Sequence, residues 1–199
     1  MNKHMNSKLT DPLQAAMMEL SLRTQGLNLS WLVGGSTGLL IQGVPLAAEP
    51  RDLDIYIDRG QAHAMHQALQ AYSVDPQAES ETNIYRSILS HYDIGGVRVE
   101  LVGAFEVRAL ESEYRVEADF LHTESEVHIE LATNERITLM PLVHELIFNV
   151  LRARPDRYEA IAEACRANDL PQHRALFERL AERNTFSPIL RHKCEQLLS

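Results

Sequence analysis

The stretch WLVGGSTGLLIQGVPLAAEPRDLDIYID, from Trp31 to Asp58, decides the fold of the front of the chain. Its apolar start predicts a short buried strand that stops at two glycines. STGLLIQG predicts a helix that begins at Ser36 and ends near Gly43. RDLDIYID alternates between polar and apolar residues, which is typical of a strand with one buried face. A strand, a helix and a second strand in this order indicate an α/β unit.

Two acids of the second strand lie on one face. Because side chains alternate along a strand, Asp52 and Asp54 project to the same side, opposite Leu53 and Ile55. Neighbouring carboxylates repel each other unless a proton or a cation lies between them. Mg²⁺ prefers oxygen ligands and is commonly shared between carboxylates and substrate phosphates. The pair therefore predicts a site for Mg²⁺ or Mn²⁺, and an acidic, solvent-facing edge strand is the alternative.

Gly34, Gly35 and Ser36 stand where the first strand gives way to the helix. Backbone N–H groups approach a phosphate closely where there is no Cβ, and the start of a helix favours anions. We expect these three residues, with Arg51 beside the acids, to bind the phosphates of a nucleotide. A plain strand-to-helix turn, and an arginine that only neutralises the acids, are the alternatives.

A third acid lies in the later segment GVRVELVG. Alternation there places Glu100 on the polar face of an otherwise apolar strand, together with Arg98. Such an acid suits a general base for an acceptor hydroxyl, or a ligand of a second metal ion. Pairing with Arg98 or with a residue of the neighbouring strand is the structural alternative.

The order of these motifs resembles the DNA polymerase β type nucleotidyltransferase superfamily, in particular small bacterial members of the minimal nucleotidyltransferase and AbiEii toxin kind. The matching features are GGS at 34–36, DLD at 52–54 and the strand acid Glu100. The resemblance implies an α+β fold with a mixed sheet, packed helices and a C-terminal helical annex. It implies Asp52 and Asp54 as metal ligands.

The same resemblance implies an activity: transfer of a nucleoside monophosphate from a nucleoside triphosphate to a hydroxyl group on a small molecule, a protein or an RNA. Gly35 and Ser36 would contact the triphosphate. The sequence departs from the superfamily in having Glu100 where Asp is usual, and in lacking a lysine in PLVHELIFNVLRARPDR. Arg152, Arg154 or Arg157 would have to replace that lysine. These departures favour a second possibility, a catalytically inactive relative that binds nucleotide or acts as a toxin–antitoxin interaction module.

The rest of the chain supports two regions, an α/β core over residues 1–140 and a helical annex over 141–199. Helical spacing predicts helices over 9–25 and 59–72, the second with Asp58 at its N-cap or in its first turn. Gly95 and Gly96 predict the turn of a hairpin. YRVEADF and EVHIEL alternate like strands of an antiparallel meander, and helices are expected after Pro141 and near 156–168, 171–183 and 187–198.

Composition narrows the possible functions. Residues 1–150 contain 10 Lys or Arg and 21 Asp or Glu, which argues against an extended grip on nucleic acid. Cys165 and Cys194 are too few for a disulfide framework and fall at apolar helical positions. No apolar stretch reaches the length of a membrane span, so we expect a cytoplasmic protein without a membrane partner.

Overall fold

A computed structural model describes residues 3–4, 9–131 and 135–199 of the chain. This part forms a large mixed sheet, a small second sheet and helices packed against them. The strands are β1 (Lys3–His4), β2 (Trp31–Gly34), β3 (Asp52–Ile57), β4 (Ala78–Glu81), β5 (Tyr85–Ile94), β6 (Val97–Ala109), β7 (Ser112–Arg115), β8 (His128–Glu130) and β9 (Arg136–Thr138). The helices are α1 (Asp11–Thr24), α2 (Gly35–Ile41), α3 (Arg59–Leu69), α4 (Ala118–Glu124), α5 (Leu142–Leu151), α6 (Pro155–Ala167), α7 (Leu170–Arg183) and α8 (Pro188–Leu197).

The large sheet has the strand order β2-β3-β6-β5-β4, with β7 paired to the far end of β6. Strands β3 and β6 run parallel, whereas β2 pairs with β3, and β5 with β6, in antiparallel fashion. Gly95 and Gly96 form the predicted hairpin turn between β5 and β6, and both have a positive φ. The expected α+β fold with a mixed sheet and packed helices is confirmed.

Each face of the sheet has its own hydrophobic core. Leu53, Ile55 and Ile57 of β3 pack in the core that contains α1 and α3, and all three are essentially inaccessible to solvent. On the opposite face, Tyr56 packs against His144 of α5, in a core that the C-terminal helices share with β6 and β7. The acids at the start of β3 therefore lie on the face that the C-terminal helices cover further along the strand.

The segment YRVEADF was expected to be one strand, and this prediction is wrong. The strand ends at Arg115, and a helix begins at Ala118. The side chain of Asp58 accepts hydrogen bonds from the backbone N–H groups of Ala118 at 2.8 Å and Asp119 at 2.9 Å. Asp58 occupies the N-cap position of α3 as predicted, yet its carboxylate makes no cap bond there. It caps α4 instead, a contact that short-range sequence patterns do not show.

The EVHIEL segment contains a strand, but outside the expected meander. His128–Glu130 forms β8 in a separate three-stranded sheet, between β1, which runs parallel to it, and β9, which runs antiparallel. Strand β4, with its mostly exposed residues, was not predicted. The two thiols, Cys165 and Cys194, are buried as expected, and burial raises the pKa of each to about 12.

The C-terminal helices agree with the sequence pattern, since α5 follows Pro141 and α6, α7 and α8 begin and end within a few residues of the predicted bounds. Helix α5 is buried over its whole length and contacts α6, α7 and α8. Across the described residues, no helix combines the length and the apolar character needed to cross a bilayer.

Candidate active site

Four residues form a row across the sheet at the predicted site. Gly34 of β2 is paired with Asp54 of β3, Asp54 with Glu100 of β6, and Glu100 with His91 of β5. Neighbouring strands are about 4.8 Å apart, so directly paired residues have adjacent side chains on the same face. The sheet therefore brings Asp54 and Glu100 together, and Asp52, two residues before Asp54, projects from the same face.

The glycine turn packs directly on this row. Gly35 has φ +59°, and a Cβ added to it would overlap Oδ2 of Asp54. A Cβ on Gly34 would lie 2.7 Å from the ring of Tyr56 and 2.9 Å from Oε1 of Glu145. Both positions require glycine. Gly35 has a left-handed conformation, and neither Gly34 nor Gly35 has room for a Cβ. The turn is tied to the acidic strand by Thr37, whose hydroxyl donates to the Asp52 carbonyl at 2.7 Å.

A fourth carboxylate, which the sequence analysis missed, lies beneath the turn. Glu145 of α5 is only 2% exposed, and its Oε1 accepts the backbone N–H of Gly35 at 2.7 Å. Burial raises the pKa of Glu145, while the Gly35 hydrogen bond and the charges of Arg152 and Arg157 oppose that rise. The sequence signal for Glu145 is an acid inside an apolar helix, because a glutamate is rarely buried unless it has a partner.

Asp54 lies in surroundings that disfavour its charged form. Burial, followed by the carboxylates of Asp52, Glu100 and Glu145, raises the pKa of Asp54 from 3.8 to about 7. Arg152 opposes this rise and does not cancel it. A partly buried acid with like-charged neighbours on several sides is stabilised by a proton or by a cation.

The donor set fits a divalent cation of the Mg²⁺ type, since the carboxylates of Asp52, Glu100 and Glu145 lie near enough to act on Asp54 and hard cations prefer oxygen. Within residues 9–131 and 135–199, no three Asp, Glu, His or Cys side chains converge into a ready-made metal cage. A cage is not required for Mg²⁺, which commonly uses one or two carboxylates and completes its shell with water and substrate phosphates. Asp52 and Asp54 are the residues that would hold it.

Glu100 has a partner on the neighbouring strand. Its Oε2 lies 3.1 Å from Nε2 of His91, and the side chain of Glu100 is 36% exposed. Of the alternatives considered for Glu100, cross-strand pairing is therefore present, through a histidine and not through Arg98. This contact is compatible with a chemical role, because one carboxylate oxygen remains for other partners.

A groove of about 760 Å³ opens beside the acids. Ser36, Arg51, Asp52 and Arg157 contribute to its wall. Arg157 of α6 donates from Nη1 to Oγ of Ser36 at 3.3 Å, which places a guanidinium at the start of α2. The guanidinium groups of Arg51 and Arg157 and the hydroxyl of Ser36 make this wall of the groove suited to binding phosphate.

The other two arginines of this region have structural partners. Arg152 donates to Oδ1 of Asn149 and stacks on Phe148, and Arg154 forms a two-bond ion pair with Asp156. The sequence left the three arginines equivalent, whereas the structure brings Arg157 into contact with Ser36 and places the charge of Arg152 close enough to act on Asp54 and Glu145.

No curated protein sequence matches the chain.

The fold is similar to that of several solved structures. A candidate nucleotidyltransferase from Thermotoga maritima superposes with a TM-score of 0.58 at 20% identity, over 74% of this chain and 88% of that one. ANT(2'')-Ia in complex with adenylyl-2''-tobramycin gives a TM-score of 0.49 at 12% identity, over 86% and 98% of the two chains. A nucleotidyltransferase-like protein from Paracoccidioides brasiliensis gives 0.46 at 11%, over 95% and 93%. The superposition on the Thermotoga maritima protein shows that the chain has a fold similar to that of nucleotidyltransferases.

The family follows from the sequence match. The chain belongs to the aminoglycoside-2''-adenylyltransferase family, whose model matches residues 16–138. It is thus a member of the nucleotidyltransferase superfamily, as the GGS and DLD motifs indicated. The matched segment contains Gly35, Asp54, His91 and Glu100, and it ends before Glu145.

Proposed function

We propose that the protein transfers a nucleoside monophosphate from a nucleoside triphosphate to a hydroxyl group, with Asp52 and Asp54 as ligands of Mg²⁺ or Mn²⁺. The observation that supports this most strongly is the pairing of Asp54 with Glu100 across parallel strands, directly beside a glycine turn. A bound divalent cation would neutralise phosphate charge and help to orient the phosphates. ATP is the proposed donor because the family is named for adenylyl transfer.

In this proposal Glu100 is the general base. It removes the proton from the acceptor hydroxyl, whose oxygen forms a bond to the α-phosphorus while the bond from that phosphorus to the leaving pyrophosphate breaks. One carboxylate oxygen of Glu100 contacts His91, and the other is left for the hydroxyl. The reaction needs no covalent intermediate on the protein, so positioning and charge carry the catalysis.

Ser36, Arg51 and Arg157 bind the phosphates in this scheme. The N–H of Gly35 already donates to Glu145, so Gly34 and Gly35 contribute chiefly by leaving space where a Cβ would stand. Arg157 takes the place of the annex lysine that the sequence lacks. Its contact with Ser36 supports this assignment.

For the acceptor we propose a hydroxylated, cationic small molecule of the aminoglycoside kind. The family description names such a substrate, and the acids around the groove, including Asp52, would attract its ammonium groups. Proteins and RNA ends remain in the acceptor panel for the experiment. We place the protein in the cytoplasm, where ATP and Mg²⁺ are available.

The test is a transfer assay with ATP labelled at the α-phosphate, Mg²⁺, and a panel of tobramycin, other aminocyclitol antibiotics, tRNA and proteins. We expect a labelled product with at least one acceptor, and none with Asp54→Asn. Glu163→Gln, an exposed acid on α6, is the matched control and should keep full activity. Equal Mg²⁺-dependent ATP binding by wild type and Asp54→Asn would disprove the metal assignment.

A catalytically inactive relative, such as an AbiEii-like toxin–antitoxin component, is the second candidate. The observation that favours it is the occupied N–H of Gly35, together with a glutamate in the third acidic position. Retained ATP binding with no transfer from any nucleoside triphosphate to any acceptor would support this candidate over the first.

A further inference from the structure

His91 lies between two carboxylates at the edge of the candidate site. Its Nε2 is 3.1 Å from Oε2 of Glu100, and its Nδ1 is 2.5 Å from Oδ2 of Asp75. The imidazole is 15% exposed, so it is largely enclosed. A histidine with both ring nitrogens engaged has a fixed ring orientation.

Asp75 holds this histidine through the backbone as well. The N–H of His91 donates to Oδ1 of Asp75 at 2.7 Å, and the N–H of Val74 donates to the carbonyl of His91 at 3.0 Å. Ser73 forms an isolated bridge with Tyr92 of β5, and its hydroxyl donates to the Asp75 carbonyl at 2.6 Å. The short segment 73–75 is thus bound along β5, and Asp75 fixes both the main chain and the ring of His91.

A hydrogen-bond partner restricts the conformations of the Glu100 side chain. A glutamate has one more rotatable bond than an aspartate, so its carboxylate samples more positions. A displacement of about 1 Å from the productive geometry can cost roughly 10²-fold in rate. Glu100 and His91 of β5 are direct partners in the strand register, and the carboxylate of Glu100 meets the ring there.

We propose that His91, fixed by Asp75, is a positioning residue for Glu100. The ring holds Oε2 of Glu100 by a hydrogen bond and leaves Oε1 for the acceptor hydroxyl. His91 does not touch the substrate in this arrangement and acts only through Glu100. The inference rests on the proposed function of Glu100, and it explains how a glutamate serves in a position where an aspartate is usual.

The first test compares His91→Leu, His91→Gln and the exposed control His63→Leu on α3. We expect His91→Leu to lower kcat by about 10- to 100-fold, the range found when a side chain that orients a metal ligand is lost. The KM for ATP should change by less than about two-fold, because the triphosphate contacts lie elsewhere. His91→Gln keeps a donor and should recover part of the activity, and His63→Leu should match the wild type.

A double-mutant cycle with Glu100→Gln separates positioning from a general structural effect. If His91 acts only through Glu100, His91→Leu has no further effect on kcat once Glu100 is Gln. The same fold loss in both backgrounds would overturn the proposal. So would a KM increase for ATP that accounts for the whole effect of His91→Leu.

Crystal structures of the wild type and His91→Leu keep the inference testable if no transfer is found. Absence of transfer by the wild type defeats the proposed function, whereas the orientation of Glu100 is observed independently of turnover. We expect one Glu100 conformer on His91 in the wild type and a displaced or multiple conformer in the variant. An identical Glu100 conformation in the two structures would overturn the positioning role.

Discussion

The buried carboxylate of Glu145 accepts the backbone N–H of Gly35 at 2.7 Å, and this hydrogen bond joins the C-terminal helices to the glycine turn of the sheet. The turn in turn contacts Asp54, since Gly35 has no room for a Cβ beside that carboxylate. Helix α5 thereby supports the acidic site from below. Residues outside the segment that matches the family model contribute to the shape of the site within it.

Replacing Glu145 separates its hydrogen bond from its charge. Glu145→Gln keeps an oxygen that can accept from Gly35, whereas Glu145→Leu leaves that N–H unpaired, at a cost of about 1–3 kcal/mol. Because burial raises the pKa of Glu145 and disfavours its charged form, the Gln variant should be at least as stable as the wild type near pH 8. Urea unfolding measures both variants, with Glu163→Gln as the control. Equal destabilisation by Gln and Leu would contradict this role of the hydrogen bond.

Gly35→Ala tests the close contact between the turn and Asp54. The left-handed φ of +59° costs an alanine about 1 kcal/mol, and overlap with the Asp54 carboxylate adds about 1–3 kcal/mol. Gly43→Ala is the matched control, because Gly43 has φ +86° with open space around its Cβ position and should show only the conformational cost. The measurements are the melting temperature and Mg²⁺-dependent ATP binding. We expect loss of binding for Gly35→Ala alone, and equal effects of the two variants would contradict the contact.

The raised pKa of Asp54 predicts a pH-dependent stability. Its folded-state pKa of about 7 exceeds the ordinary 3.8, so the stabilising contribution is complete below pH 3.8 and is lost as the pH rises through 7. Asp54→Asn removes this dependence. The variant should therefore gain stability relative to the wild type between about pH 4 and pH 8, by at most about 4 kcal/mol.

Unfolding in urea at several pH values, without divalent metal, measures that difference. Added Mg²⁺ should stabilise the wild type near pH 8 and have little effect on Asp54→Asn, because only the wild type has the charged pair Asp52 and Asp54. A constant stability difference across the pH range would show that burial and the neighbouring carboxylates do not raise the pKa of Asp54.

Local pattern was sufficient to predict much of the acidic site. The alternation in RDLDIYID placed Asp52 and Asp54 on one face, and the glycines marked the end of β2. The sequence also allows the partner of Glu100 to be predicted. A two-residue turn at Gly95 and Gly96 pairs residue 94 with 97, and counting back from it pairs His91 with Glu100. The register of the predicted hairpin therefore places His91 opposite Glu100.

Other contacts depended on the assembled fold. Asp58 follows β3, yet it caps a helix 60 residues further along the chain. Glu145 meets Gly35 only because α5 packs across the face of the sheet that carries Tyr56. Neither contact has a periodic or short-range signature, since each joins segments that are distant in sequence and meet through packing of a buried core. The alternation in YRVEADF predicts one strand because it does not show that the distant Asp58 caps a helix beginning at Ala118.

Arg157→Gln tests the phosphate-binding surface. Arg157 reaches Ser36 at 3.3 Å in the groove beside Asp52, so removing its charge should weaken ATP binding by about 10- to 100-fold, the usual range for a charged hydrogen bond. Arg154→Gln is the matched control, because Arg154 is exposed and pairs with Asp156. Isothermal titration of ATP with Mg²⁺ gives the two dissociation constants, and the melting temperature verifies folding. Equal ATP binding by the two variants would show that Arg157 does not bind the phosphates.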